Sequence, residues 1–243
     1  MQCKFEVGIL TVFMLLAGAT QAVCGEYNDP SGFSFTYPEG WLPTSSMNKG
    51  ELPPEVRGWF LKNNVDFNRV SVFLVRVAQA DFVETMNVVV QQQEMAIEEV
   101  SVKKLLDMMS QQFRSMGIKI EGAKGETKKF GTNQAIVIEF QSKLPAVPFP
   151  LRQRQTLFSG GGKTFVVTCT SKDDTFETYA PTFDKILTSF KVPPSTRHPH
   201  GIDFGQSLIM GIVGGLIGGI VGGLYALHKK IKSKKNPVVP ESK

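Results

Sequence analysis

From residue 207 to residue 227 the chain reads SLIMGIVGGLIGGIVGGLYAL, 21 residues without a charge. Wound as a helix, that run matches the ~30 Å hydrocarbon layer of a bilayer. A buried helix of a soluble domain is the competing reading, but seven glycines would make a poor helix in water. A transmembrane helix is therefore expected at 207–227. His228 and a lysine-rich tail over 228–243 follow it directly. The tail holds six lysines against Glu241, a surplus of five that equals the net charge of the whole chain, +5. Everything before it is electrically neutral, which argues against a nucleic-acid-binding domain. Basic flanks stay on the cytoplasmic side, so the tail is expected inside and the rest of the chain outside.

Within this run Gly211, Gly215, Gly219 and Gly223 recur every fourth residue, and Gly214, Gly218 and Gly222 form a second row beside them. Residues four apart stack on one helix face, so each row is a shallow groove without side chains. Such grooves allow close backbone approach between helices, and a homo-oligomer through this span is expected.

The other end carries a second address. Lys4 begins a short positive region, weakened by Glu6, and residues 7–17 (VGILTVFMLLA) form an apolar stretch of signal-peptide length. Residues 1–24 are read as a secretory signal, cleaved after Ala22 or after Cys24. An uncleaved anchor is the alternative, as is lipidation of Cys24, for which Gln21 and Val23 are poor neighbours. Loss of Cys3 and Cys24 leaves Cys169 alone, so an internal disulfide is impossible and the exported domain must rely on its core. Cys169 itself lies in an apolar strand-like run and reads as a small buried hydrophobe.

Residues 26–192 make the exported domain, and the proline-rich 193–206 a stalk. Strand signals dominate. Phe33, Phe35 and Tyr37 alternate with polar residues until Pro38. Residues 59–61, 70–77, 87–91, 118–130, 135–140, 152–158 and 164–169 follow as strand candidates, the last two joined by the hairpin-like Ser159-Gly160-Gly161-Gly162-Lys163. Two helices are expected. Ser101 caps the first, whose apolar stripe runs Val102, Leu105, Leu106, Met109, Phe113, Met116 to a stop at Gly117. The second carries Tyr179, Phe183, Ile186, Leu187 and Phe190, with Pro181 tolerable only in its first turn. The fold class is α+β, a largely antiparallel sheet covered by helices, plus the C-terminal transmembrane helix.

The segment Gly32-Phe33-Ser34-Phe35-Thr36-Tyr37-Pro38-Glu39-Gly40-Trp41 resembles the opening strand and turn of PsbP-like domains, a superfamily that includes DcrB-like envelope proteins. The order that follows is also similar, down to the terminal helix ending FDKILTSF at residues 183–190. The resemblance covers about 26–192 and implies a seven-stranded or similar antiparallel sheet sandwiched by helices. It also implies action by binding, not catalysis. The apolar run after the domain departs from PsbP itself and points away from a photosynthetic role.

Candidate sites are few. Gly160-Gly161-Gly162-Lys163-Thr164 looks like the end of a phosphate-binding loop, but the position requiring its first glycine is Leu157. His198, His200 and Asp203 offer metal ligands on a stalk without a fixed framework. Asp173, Asp174 and Glu177 read as solvated loop carboxylates. All three histidines lie beyond the domain, so no Ser-His-Asp arrangement is available in it. Trp41, Trp59, Arg152 and Arg154 remain as a possible partner surface. For Trp41 a core role is the stronger reading, and for the arginines an exposed face or a charge-protected sheet edge. A non-catalytic, membrane-anchored binding or scaffolding protein of a cell envelope is expected, with no cofactor, no nucleic acid and an envelope protein as partner. The alternative is a hydrolase using carboxylates that sequence does not place.

Overall fold

Alternation of apolar and polar residues decides the sheet, and the helices follow from what its two faces must bury. The computed structural model describes residues 23–44, 70–76, 82–144 and 147–196. Residues 1–22 of the expected signal, Trp59-Phe60-Leu61, the stalk beyond Thr196, the apolar run 207–227 and the tail lie outside the described residues, whereas Val23 and Cys24, the last two residues of the expected signal, belong to the first strand. Strands β1 (Val23–Asn28) and β2 (Ser34–Pro38) pair as a hairpin. Then come β3 (Trp41–Thr44), β4 (Val70–Arg76), β5 (Thr85–Gln91), helix α1 (Val102–Ser115), β6 (Lys119–Phe130), β7 (Asn133–Lys143), β8 (Leu151–Gly160), β9 (Lys163–Lys172) and helix α2 (Phe176–Ser189).

Among the described residues, seven strands form one sheet in the order β3-β4-β5-β9-β8-β7-β6, every pairing antiparallel. Its edges are β3 and β6. Pro43 sits on the edge strand β3, where a missing N–H costs no interior ladder bond. The other edge, β6, is mostly exposed and rich in Lys and Glu, with a bulge between Glu121 and Lys124, features that discourage pairing with another chain.

Helix α1 begins where Ser101 accepts a hydrogen bond from the Lys104 N–H at 3.3 Å. It ends where Gly117 takes φ +72°, a left-handed conformation that suits glycine. Leu105, Met109 and Phe113 are buried with Ile136, Ile138 and Phe140 on one face of the sheet. Helix α2 starts at Phe176, earlier than Pro181 suggests from sequence. Pro181 falls in the second turn and deprives the Glu177 carbonyl of its helical donor, but it lies on the exposed side. The buried side of α2 holds Phe176, Phe183, Ile186 and Leu187 against the second face of the sheet.

The β1–β2 hairpin shares that second face with α2. Phe190, just past α2, stacks on Phe33 at 5.3 Å, Phe35 at 6.0 Å and Phe158 at 4.8 Å between ring centroids. Phe165 meets it nearly edge-on at 6.4 Å. Behind the ring, Asn133 Nδ2 donates to the Phe190 carbonyl at 2.7 Å, and Lys191 pairs with Ser34 as an isolated bridge. Offset and edge contacts of this kind add to area burial. Among the described residues no helix is long and apolar enough to cross a membrane. Phe190→Ala is expected to destabilise the protein by about 4 kcal/mol and to lower its Tm by roughly 10 °C, read by circular dichroism on heating.

Candidate functional site

Arg152 and Arg154 do not protect a sheet edge. Strand β8 lies between β7 and β9, so both arginines rise from the sheet interior on the side covered by α2. Arg154 faces Glu139 across the β7–β8 ladder, and the Glu139 side chain is about 10% exposed. Its Oε2 accepts from Arg154 Nε at 3.2 Å and Nη2 at 3.1 Å, while Oε1 accepts from Arg152 Nη2 at 3.0 Å. Lys124 Nζ of β6 adds a contact at 3.2 Å.

The remaining arms reach α2. Arg152 Nη1 donates to Glu177 at 2.8 Å and Arg154 Nη1 to Asp184 at 2.9 Å. Both guanidinium groups lie over the Phe176 ring, 4.9 Å and 5.2 Å from its centroid. The pair therefore clamps α2 to the sheet. Beside it opens a cavity of about 260 Å³ lined by Lys124, Gly125, Glu126, Lys128, Glu139 and Arg154, among others. Burial alone would push the Glu139 carboxyl up, but the hydrogen bond and charge of Arg154, then Lys124, outweigh it and hold the group below its ordinary 4.5.

A larger cleft, about 530 Å³, lies at the β8–β9 hairpin end of the sheet. Its walls are residues 94–99, the β6–β7 turn, Ser159 and a strap formed by residues 192–195. The strap is the first part of the proline-rich stalk, and it is built into the domain. Gly161 (φ +60°) and Gly162 (φ +79°) make the two-residue turn, positions that tolerate few other residues. Pro193 sits on this turn: a Cβ at Gly160 would overlap the Pro193 carbonyl, and one at Gly161 would lie 2.8 Å from the Pro193 side chain. Gly161 N–H donates to the Pro194 carbonyl at 2.9 Å. So the triple glycine is a seat for the stalk.

Glu94, 4% exposed, closes the seat. Its Oε2 accepts from the Gly162 N–H at 2.8 Å and from the Thr196 N–H and hydroxyl at 3.3 and 3.2 Å. Burial raises its pKa, yet the hydrogen bonds from Ser195, Gly162 and Thr196 prevail and leave it lowered. In the sequence Glu94 is an acidic residue after a polar run, with no local mark of a partner a hundred residues away.

Trp41 is 4% exposed and meets the Phe183 ring edge-on at 6.0 Å, so it lies in the core. Leu42 beside it is the large hydrophobic residue left exposed among those described. Cys169 is fully buried, and that burial pushes its thiol up to about 12. Asp173 and Asp174 form a single 3-10 turn leading into α2. Among the described residues no group of three or more His, Cys, Asp or Glu is placed to hold a metal ion. Trp59, His198, His200, Asp203 and the glycine rows of 207–227 lie outside the described residues.

No protein-family model matches the chain, and no curated protein matches it in sequence. Solved structures with a similar arrangement include the cyanobacterial PsbP (CyanoP) of Synechocystis sp. PCC 6803, 17% identical, covering 72% of this chain and 95% of that one at a TM-score of 0.49. LpqN of Mycobacterium tuberculosis, described as involved in cell envelope biogenesis, is 12% identical over 70% of this chain and 91% of its own, with a TM-score of 0.39. The Ran-binding protein Mog1p of Saccharomyces cerevisiae is 11% identical over 70% and 95%, with a TM-score of 0.42. Likeness at this level says nothing about ligand or partner.

Because Glu139 is held below 4.5 in the folded state, its stabilisation is present above that value and is lost as pH falls through the lowered pKa. Glu139→Gln leaves both arginines without this carboxylate and should cost on the order of 3 kcal/mol at neutral pH. The variant should also lose part of the acid dependence below 4.5, measured by denaturant titration across pH.

Proposed function

We propose that this protein is a single-pass, membrane-anchored binding or scaffolding module that presents its domain on the outer side of the cytoplasmic membrane. One observation carries the reading: the start of the stalk is fixed to the domain by Pro193, Pro194 and Thr196. Only residues 197–206 separate that fixed point from the apolar run, a reach of at most ~35 Å when fully extended. A domain held that close, at a set attachment point, suits a partner in or near the same membrane.

The chemistry of the domain supports binding over catalysis. A general acid at neutral pH needs a raised carboxyl pKa. The shifted carboxylates among the described residues, Asp29, Glu94, Glu121 and Glu139, are all lowered by hydrogen bonds or cations. In this reading the partner is another envelope protein, and no cofactor takes part.

Protease added to intact spheroplasts should remove the domain and spare the lysine-rich tail, while mild-detergent purification should recover an envelope protein. A tail cleaved ahead of the domain would invert the topology. Catalysis by the purified protein, abolished at a single Asp or Glu, would replace the scaffolding reading with the hydrolase one.

The same reading includes self-association through Gly211, Gly215, Gly219 and Gly223, with Gly214, Gly218 and Gly222 as a second groove. Replacing Gly215 and Gly219 together by Leu should abolish the signal of a membrane self-association reporter. An unchanged signal would move the contact away from the glycine rows.

A further inference from the structure

The cleft of about 530 Å³ at the hairpin end of the sheet is walled in part by a loop whose course is fixed at two points. Thr164 of β9 pins its start: the hydroxyl donates to the Gln93 carbonyl at 2.7 Å and accepts from the Met95 N–H at 2.9 Å. Ile97 and Val100 then anchor in the core that α1 covers. A single 3-10 turn, Ile97–Glu99, lies between these anchors and leaves Glu98 and Glu99 exposed. The strap, seated on the glycine turn, supplies a further wall.

Three carboxylates, Glu94, Glu98 and Glu99, line this cleft, and no Lys, Arg or His does. Lys103, Lys129, Lys163 and Lys191 flank its walls along the chain but stand outside it. Lys103 is paired with Asp107 at 2.8 Å, and Lys163 Nζ donates to the Ser31 carbonyl at 2.9 Å. The smaller cavity is the contrary case, with Lys124, Lys128 and Arg154 set against Glu126 and Glu139. A cleft lined by one sign of charge concentrates the opposite sign. Among the described residues no three His, Cys, Asp or Glu are placed to hold one metal ion, so these acids suit separate positive charges.

Hydrogen-bonding capacity points the same way. Three donors of the lining are already committed within the protein. The Met95 N–H goes to Thr164, the Glu99 N–H to the Ala96 carbonyl at 3.0 Å, and Asn133 Nδ2 to the Phe190 carbonyl at 2.7 Å. Pro193 and Pro194 have no N–H and bring carbonyls only. The Ser159 hydroxyl, on a residue of the lining, is sealed from bulk solvent and has no hydrogen-bond partner among the described residues. Buried hydroxyls are paired as a rule, so this one calls for a partner in the cleft.

We infer that the cleft binds a linear polyamine, a flexible chain carrying two or more ammonium groups. Each primary ammonium has three donors and no acceptor, the complement of a lining of carboxylates, prolyl carbonyls and a hydroxyl. Separate charges on one chain meet separate carboxylates, which a single metal ion cannot span. The volume lies within the ~300–1,000 Å³ of small-molecule sites. Methylene spacers between the charges suit Met95, Ile97 and Val192 in the same lining. The inference rests on the domain alone and holds whether or not the chain is anchored in a membrane.

Isothermal titration calorimetry on the full chain in uncharged detergent micelles, at low salt, tests this with spermidine as the probe. One equivalent is expected to bind, and the singly charged butylamine at least about tenfold more weakly. Glu98→Gln combined with Glu99→Gln should weaken spermidine by about tenfold or more, and Ser159→Ala by about threefold or more. Glu126→Gln combined with Asp174→Asn removes as much charge at exposed positions outside the cleft and should keep affinity within about twofold. Because Glu98 and Glu99 are exposed, their double variant should keep the parent's Tm; Ser159→Ala tests the same site without altering charge. Absence of spermidine binding, equal binding by the parent and the Glu98 and Glu99 variant, or an equal loss in the Glu126 and Asp174 variant overturns the inference. So does tighter binding of the comparably charged dilysine amide, which would assign the cleft to a basic protein segment.

Discussion

Phe190 is the point on which the described structure converges. It ends α2, stacks on both phenylalanines of the β1–β2 hairpin, and lies against Phe158 and Phe165 at the ends of β8 and β9. Asn133 ties its carbonyl to the start of β7, and Lys191 pairs immediately afterwards with Ser34. Helix, hairpin and sheet therefore share one ring. With a free, buried Cys169 and no disulfide among the described residues, this aromatic junction supplies the long-range closure that a crosslink would otherwise give.

The same face of the sheet carries the opposite chemistry a few residues away. Along β8, Phe158 enters the aromatic cluster while Arg154 and Arg152 enter an ionic one. Ion pairs with so little solvent stabilise only when the geometry is good and each charge has several partners. Glu139 meets that condition with two arginines and a lysine, and Phe176 covers the guanidinium planes. Helix α2 is thus held at one end by apolar rings and along its length by charge. The two attachments respond differently to acid, because only the ionic one contains a group that titrates.

Much of the fold was legible because local pattern and tertiary role coincide. The stripe of α1, its Ser101 cap, the alternation of β2 and β7, and the glycine turn between β8 and β9 all follow from period and turn chemistry. The misses have physical reasons. Strand β1 begins at Val23, beside small residues that also suit a signal cleavage site. Strand β3 contains Pro43, which excludes an interior strand but not an edge. Pro181 delays the apparent start of α2, although one lost bond on an exposed side is affordable beside a buried Phe176. Arg152 and Arg154 looked exposed because alternation reports the face of a strand and not what covers that face. Pro193 on Gly160 and Gly161, and Glu94 on Thr196, are contacts between distant segments that no local window contains.

The seat of the strap also fixes how tension would travel. A pull on the chain beyond Thr196 acts first on the Thr196–Glu94 hydrogen bonds, then on the bond from Gly161 to Pro194, and only afterwards on the Lys191–Ser34 bridge next to Phe190. These contacts are arranged in series and none belongs to the seven-stranded ladder. Each can therefore break without unpairing a strand of the seven-stranded sheet. The strap is held by side-chain and turn contacts that the core does not share.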